Sequence, residues 1–296
     1  MYINIIFVNT IIILERSFMI SLCLKSLDKE LINNLEKEID KIEFNNIIYI
    51  QKKLSKFHNL IIHYVGQHKN DFYKVFSEAI SNFVISNYED KLILKQLRLE
   101  FFYFSKSEQL DILNSTKNAL TLEDCNHYKK RILQNQIFRY ISNTHKFNID
   151  GFVNFRIPDY KKYICSKLDE EVHNYIIKKE YLEYITLLRD YISVKPSQSE
   201  TIHLIYSNNE SILIDGSGNI LTTTDEKKYL SDISFSKNDF ILNSILSLLP
   251  RKLIIHSSII DNFLQFLQSV FENRCELCLG CKLCKSDLNE CKKCLN

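Results

Sequence analysis

The amino-acid sequence predicts an α+β fold with an N-terminal α/β segment, a central helical region and a C-terminal strand–helix segment that ends in a small Cys-rich metal-binding tail. Three observations lead to this prediction. Short β-type apolar runs surround one amphipathic helix near the N-terminus, and helical periodicity then dominates most of residues 69–191. After residue 200, short apolar runs return around Gly- and Asn-containing turns, and six of the nine Cys residues crowd the last 22 positions.

The composition is that of a globular protein with balanced charge. Hydrophobic residues make up 45% of the chain and charged residues 25%, and 38 basic residues face 36 acidic ones, for a formal charge of +2. Such a chain is neither disordered nor embedded in a membrane. The charge balance also disfavours a broad phosphate-binding surface. We therefore expect a cytoplasmic protein without membrane association.

Residues 1–18 are predicted to be a mis-assigned leader. The apolar run Ile3–Leu14 is too short to span a bilayer, and Glu15 and Arg16 follow it. The run also lacks the preceding basic residues and the cleavage site of a signal peptide. The residues before Met19 can be encoded by codons that contain AGGAG, a bacterial ribosome-binding sequence. We therefore predict that Met19 is the true start.

The first predicted elements after Met19 are a strand, a helix and two further strands. Ile20–Leu24 has the composition of a strand, and Ser26 is placed as the N-cap of the helix that follows. Ile47–Ile50 and Leu60–Tyr64 are β-like runs. The predicted apolar stripe of the helix consists of Leu31, Leu35, Ile39 and Ile42.

The central region is predicted to be helical over residues 69–147 almost without a break. Gly151–Arg156 interrupts the periodicity, and Pro158 then begins a long amphipathic helix because proline is favoured in a first helical turn. Lys195–Glu200 is the best candidate for a linker. We accordingly predict a mixed domain over 19–195, an α/β domain over 196–272 and a Cys-rich tail over 273–296.

The second predicted domain begins with strands around a hairpin turn at Asp215–Asn219. A helix that stops before Pro250, a strand and a second helix come next. The strands are Ile202–Tyr206, Ile212–Ile214, Ile220–Thr222 and Leu253–His256, and the helices are Phe240–Leu249 and Ile259–Phe271.

The C-terminal cysteines follow the pattern Cys-x2-Cys-x2-Cys-x2-Cys-x6-Cys-x2-Cys. A Cys-x2-Cys pair places two sulfur atoms on one turn, where both can bind the same metal ion. Disulfides are disfavoured because the chain has no export signal and has enough apolar residues to form a core. We therefore predict that the metal ligands are Cys275, Cys278, Cys281, Cys284, Cys291 and Cys294.

The spacing leaves the metal open between zinc and an iron–sulfur cluster. Two Cys-x2-Cys pairs suit a tetrahedral zinc site, and these are formed by Cys281, Cys284, Cys291 and Cys294. Consecutive Cys-x2-Cys steps are typical of iron–sulfur ligation, and these are formed by Cys275, Cys278, Cys281 and Cys284. The three cysteines outside the tail are predicted to be buried thiols: Cys23, Cys125 and Cys165.

Over most of Met19–Cys284 the chain resembles the YtxC family of sporulation proteins from endospore-forming Firmicutes. The resemblance rests on Asp150–Arg156 with the long helix that follows, on the strand-rich segment His203–Leu221, on Leu249–His256, and on Phe271–Arg274 with the run Cys278–Cys284. It implies a cytoplasmic protein connected with spore formation, without an established biochemical activity. No catalytic residues are therefore carried over.

The predicted function is that of a sporulation-associated protein whose tail binds zinc or an iron–sulfur cluster and contacts a protein partner. No nucleophile elbow, zinc-protease helix or P-loop is present, so no enzymatic activity is indicated. An iron–sulfur redox protein or sensor is one alternative. A nucleic-acid-binding zinc knuckle is another, with phosphate contacts from Lys282, Lys285, Lys292 and Lys293, although the balanced charge disfavours it.

Overall fold

The computed structural model describes residues 18–206, 211–221, 237–257 and 259–281. Within these ranges the chain is a mixed α+β structure, as predicted, and its strands form two four-stranded sheets. It divides into two compact units, Met1–Tyr175 and Ile176–Asn296. This division falls inside a long helix, whereas the domain prediction placed boundaries after residues 195 and 272. All but the last residue of the predicted leader lies outside the described residues.

The first unit contains a mainly antiparallel sheet. Its strands are β1 (Phe18–Ser26), β2 (Ile47–Leu54), β3 (Phe57–Gly66) and β4 (Lys146–Asn148), in the spatial order β2-β3-β1-β4. β1 pairs antiparallel with β3 and parallel with β4. Alternate residues point to opposite faces of a strand, and the face turned to the core buries Leu22, Leu24, Leu60 and Ile62 completely or nearly so.

Helix α1 (Lys29–Ile39) differs from its prediction at both ends. Its N-cap is Asp28, whose carboxylate accepts a hydrogen bond from a backbone N–H of the first turn at 2.8 Å. Ser26 still belongs to β1, and its hydroxyl donates to Asp150 Oδ2 at 2.8 Å. Ile42 lies beyond the last helical residue. The periodicity therefore identified the helix, whereas hydrogen-bond partners determined its ends.

The central helical region is divided into separate helices. Ser105 begins one of them with a capping box, in which its hydroxyl accepts from the N–H of Glu108 and the Glu108 carboxylate accepts from the N–H of Ser105. The apolar periodicity continues across these short turns, so it did not reveal the breaks. The helices are α2 (Lys69–Glu100), α3 (Lys106–Thr121), α4 (Glu123–Asn143) and, after β4, α5 (Ile149–Phe155).

The long helix α6 (Pro158–Val194) begins at Pro158, as predicted. Its residues up to Tyr175 belong to the first unit, and the rest belong to the second. Across the described residues, no helix has the length and apolar character needed to cross a membrane.

The second unit is built on a sheet whose strand order is β6-β5-β7-β8. β5 pairs antiparallel with β6, while β5, β7 and β8 run parallel. Of the predicted strand Ile220–Thr222, Ile220 forms a bridge with Ile214, and Thr222 lies outside the described residues. The elements are β5 (Ser199–Tyr206), β6 (Ser211–Asp215), α7 (Lys237–Leu248), β7 (Pro250–His256), α8 (Asn262–Phe271), a 3₁₀ turn (Glu272–Arg274) and β8 (Cys275–Leu277).

The two faces of this second sheet have different characters. One face packs into the main hydrophobic core of the unit together with α7 and α8, and it contributes Ile202, Leu204, Leu213, Leu253 and Ile255. Strand alternation places His203 and His256 on the opposite face, beside the small cluster Ile205, Ile212 and Ile214. The sheet therefore supports a core on one side and two imidazoles on the other.

A buried charged group lies in the core of the first unit. Lys129 Nζ contacts both carboxylate oxygens of Glu89, at 2.9 and 3.0 Å, and Tyr160 Oη donates to Glu89 Oε2 at 2.7 Å. All three side chains are buried. Burial, and then the neighbouring Glu89 carboxylate, raises the pKa of Tyr160 far above its usual value, so the phenol stays protonated as a donor.

We expect Lys129→Met to destabilise the protein by about 3–5 kcal/mol, because the Glu89 carboxylate would stay buried without its cation. Lys117→Met is the matched control, since it removes a lysine that pairs with Asp90 at 2.8 Å on the surface. That substitution should lower the free energy of unfolding by less than about 1 kcal/mol. Urea unfolding measures both, and equal losses would contradict a desolvated Glu89–Lys129 pair.

Candidate metal site

Parallel pairing brings one histidine and one cysteine together at the carboxyl ends of two neighbouring strands in the second sheet. β7 ends at His256 and β8 ends at Leu277, and the register sets Leu277 opposite Ile255. His256, which follows Ile255, and Cys278, which follows Leu277, are therefore neighbours. The N–H of Cys278 donates to the carbonyl of Ile255 at 2.9 Å, which extends the pairing by one residue.

A tight turn then returns the second cysteine to the same place. Gly280 has a φ of +125°, which side-chain-bearing residues rarely adopt, and a Cβ added there would meet no atom within 4 Å. The turn brings Cys281 Sγ to 3.4 Å from His256 Nδ1. Glycine is therefore needed at this position for its backbone conformation and not for lack of space.

The ligand atoms of His256, Cys278 and Cys281 all lie within 4.8 Å of one another. His256 is buried, and both cysteines are partly buried. Around a tetrahedral zinc ion, a sulfur and a nitrogen ligand are separated by about 3.6 Å and two sulfurs by about 3.8 Å. The distance of 3.4 Å between His256 Nδ1 and Cys281 Sγ is close to the first value, and imidazole and thiolate are donors that zinc prefers. The three residues therefore fit a shared metal ion.

His203 lies behind His256 on the neighbouring strand. Its Nδ1 is 2.9 Å from His256 Nε2, so Nδ1 of His256 is the ring nitrogen turned towards Cys281. Burial lowers the pKa of both imidazoles, and for His256 the nearby His203 lowers it further. Lowered pKa values favour neutral rings, and a neutral imidazole is the form that binds metal.

Cys275, the first of the six predicted ligands, is placed differently. It begins β8 opposite Leu253 and packs against the hydrophobic core of the second unit. Burial, followed by the charge of Glu276, raises the pKa of Cys275 to about 11. It is not one of the three residues whose ligand atoms meet. Its ligation, like that by Cys284, Cys291 and Cys294, which lie outside the described residues, stays a prediction.

The remaining cysteines are all in the first unit. Cys23, Cys125 and Cys165 are partly rather than fully buried, which corrects the prediction of buried thiols. Burial is nevertheless sufficient to raise the pKa of Cys23 and Cys165, and Cys23 Sγ lies 3.6 Å from Asn59 Oδ1. Cys23 and Cys165 therefore stay protonated at neutral pH, and Cys165 serves as a control for the tail.

His256 was not among the ligands predicted from the sequence. It was identified only as the last residue of an apolar run, because the metal prediction used spacing within the tail. A signal was nevertheless present. A strand that ends in histidine, followed by one helix and a short run that ends in a Cys-x2-Cys pair, is the pattern expected when two parallel strands end at one site.

Known proteins with similar sequences place the chain in a family. The model of the YtxC-like family matches residues 74–276. The protein named "Uncharacterized protein YtxC" of Bacillus subtilis (strain 168) is 20% identical over 207 residues, which cover 64% of this chain and 71% of the relative. No solved structure matches significantly. The family match includes His203 and His256 and ends two residues before Cys278.

We expect Gly280→Ala to weaken binding of Co²⁺, used as a spectroscopic probe for the site. Alanine in this conformation costs about 1–3 kcal/mol, which corresponds to roughly a 5- to 150-fold loss of affinity. Gly216→Ala is the control, because a Cβ there makes ordinary contact with Thr201 at 3.7 Å. Titration of the thiolate–Co²⁺ absorption measures both affinities, and an unchanged Gly280→Ala affinity would show that the turn does not shape the site.

Proposed function

The chain belongs to the YtxC-like family, and from this premise and the geometry of the C-terminal cluster we propose that it is a cytoplasmic, sporulation-associated protein that binds zinc and uses the zinc-bound turn to contact a protein partner. The connection with spore formation is supported by the family resemblance. The metal is supported separately, by residues that lie mostly beyond the family match. The two parts of the proposal therefore have separate tests.

One observation carries the choice of zinc: His256 Nδ1 lies 3.4 Å from Cys281 Sγ, with Cys278 in the same group. Structural zinc sites commonly combine histidine with two or three cysteines. Iron–sulfur clusters are held mainly by four cysteines, with histidine as the less common ligand. A buried imidazole among the thiols therefore favours zinc over a cluster.

The proposed fourth ligand is a cysteine of the tail beyond residue 281. Cys284 follows Cys281 at the same spacing that separates Cys281 from Cys278. Three thiolates and one neutral imidazole would leave the zinc site with one negative charge, and Lys282 and Lys285 are near enough in sequence to offset it. Because ligation fixes the thiolates, binding of the ion would also hold Cys278 and Cys281 in place.

The proposed contact with a protein partner rests on the turn between the two cysteines. Leu279 is fully exposed to solvent, and the turn does not require a large apolar side chain at this position. β8, which carries this turn, is the edge strand of its sheet. The metal would thus hold an apolar side chain in a defined position at the sheet edge, as expected of a small interaction surface.

The first test is elemental analysis with a visible spectrum on protein purified without air. We expect a colourless protein with stoichiometric zinc. His256→Ala, Cys278→Ala, and Cys281→Ser with Cys284→Ser should each lose the zinc while the rest of the chain still unfolds cooperatively. Cys165→Ala should retain it, because that thiol does not belong to the group around His256.

Other results would redirect the proposal. A brown protein with iron and sulfide, and with reversible bleaching on reduction, would favour the iron–sulfur alternative. Steeply salt-dependent binding to DNA or RNA would favour the nucleic-acid-binding alternative. Protein that carries neither zinc nor iron, and whose tail thiols all react with a probe, would remove the basis for a metal site.

The second test concerns spore formation in the organism that encodes this chain. Deletion of the gene should lower the yield of heat-resistant spores, and the wild-type gene should restore it. A gene carrying Leu279→Ser should restore less than one carrying Leu182→Ser, which replaces a leucine that is also exposed but lies on helix α6. Normal spore yield in the deletion strain would contradict the sporulation role.

A further inference from the structure

His203 and His256 meet edge to edge. Their facing nitrogens are 2.9 Å apart, and their ring centroids are 5.2 Å apart with planes inclined by 27°. A ring nitrogen lies about 1.2 Å from the centre of its imidazole, so a linear in-plane hydrogen bond predicts a centroid separation of about 5.3 Å. The observed value agrees, although the rings are nearly parallel. The contact is therefore a directed N–H···N hydrogen bond and not a face-to-face stack.

The sheet itself enforces this pairing. β5 and β7 are hydrogen-bonded in parallel register, with His203 opposite Ile254 and Ile205 opposite His256. The two histidines are thus diagonal neighbours on one face of adjacent strands, where side chains are within reach of each other. Backbone hydrogen bonds between the strands, and not a loop, determine the distance between the rings.

We infer that His203 is the positioning residue of the metal site, because it accepts the Nε2 proton of His256 and so leaves Nδ1 of His256 unprotonated towards Cys281. This inference rests on the proposed function. A neutral imidazole carries a single proton, so one ring nitrogen donates and the other accepts. A metal-binding Nδ1 therefore requires the proton on Nε2, and the atom that faces Nε2 is His203 Nδ1.

The role differs from that of a ligand. His203 contacts the far side of His256, whereas the metal-binding group consists of His256, Cys278 and Cys281. Hydrogen-bond partners behind metal ligands hold the ring orientation and the tautomer, and their loss typically weakens metal binding 10- to 100-fold. Removing the His203 acceptor should therefore weaken zinc binding without changing the number or kind of ligands.

The test compares His203→Leu with His203→Asn. The two substituting side chains have nearly the same shape, but only asparagine carries an acceptor oxygen near the position of Nδ1. We expect His203→Leu to lower the zinc affinity roughly 10- to 100-fold, and His203→Asn to recover most of that loss. Competition with a chromophoric chelator measures the affinities. His63→Leu is the control, because His63 bonds Ser21 at 2.8 Å in the first unit.

Two spectroscopic readouts separate positioning from general damage. The Co²⁺ absorption of His203→Leu should keep its shape, since the ligands are unchanged, whereas His256→Ala should alter it. The ¹⁵N chemical shifts of His256 should show a proton on Nε2 in the zinc-bound wild type. His203→Asn also serves as the folded reference if the leucine variant is unstable.

The possible outcomes test the positioning role of His203 separately from the proposed zinc site. Wild-type protein that binds neither Zn²⁺ nor Co²⁺ would overturn both. Wild-type binding with equal affinities for the leucine and asparagine variants would overturn the positioning role alone. A proton on Nδ1 of His256 in the zinc-bound protein would do the same.

Discussion

The parallel pairing of β7 with β8 is the contact on which the candidate site depends. β8 has three residues and lies at the sheet edge, so few backbone hydrogen bonds hold it. Its position is supported by the packing of Cys275 and Leu277 against the core and by the Lys252–Glu276 ion pair at 2.9 Å. Packing of Cys275 against the core thus supports the strand that delivers Cys278 to His256.

The candidate metal ligands are held in place by different parts of the structure. His256 is buried at the end of a strand, and its far nitrogen bonds His203 of the next strand, so the imidazole is oriented before any ion arrives. Cys278 follows the short edge strand β8, and Cys281 follows the turn at Gly280. Metal binding should therefore restrain the two thiols more than the histidine, which the sheet already holds. With three thiolates the proposed zinc site would carry one negative charge, and a neutral His203 would leave that charge unchanged.

The two units use buried polar groups in different ways. In the first unit, Lys129 and Tyr160 both direct their polar atoms at the buried Glu89 carboxylate. Asp150, which belongs to the segment that carries the family resemblance, also has an internal role: it accepts from Ser26 Oγ and from Tyr88 Oη. In the second unit, His256 Nδ1 and two thiols face one another at a sheet edge. The first arrangement stabilises a core, and the second suits a metal.

Local patterns in the sequence determined the class of the fold, most of its elements and the Cys-x2-Cys pair. Apolar periodicity and the position of Pro158 depend only on nearby residues, so they could be interpreted without a structure. Only the tertiary structure decided that His256 meets Cys278 and Cys281 and that Cys275 packs against the core. His256 and Cys278 are separated in the chain by an entire helix, and no local pattern reports the register of two parallel strands. Their contact arises from hydrogen bonds between β7 and β8, which form only when the core has brought the strands together.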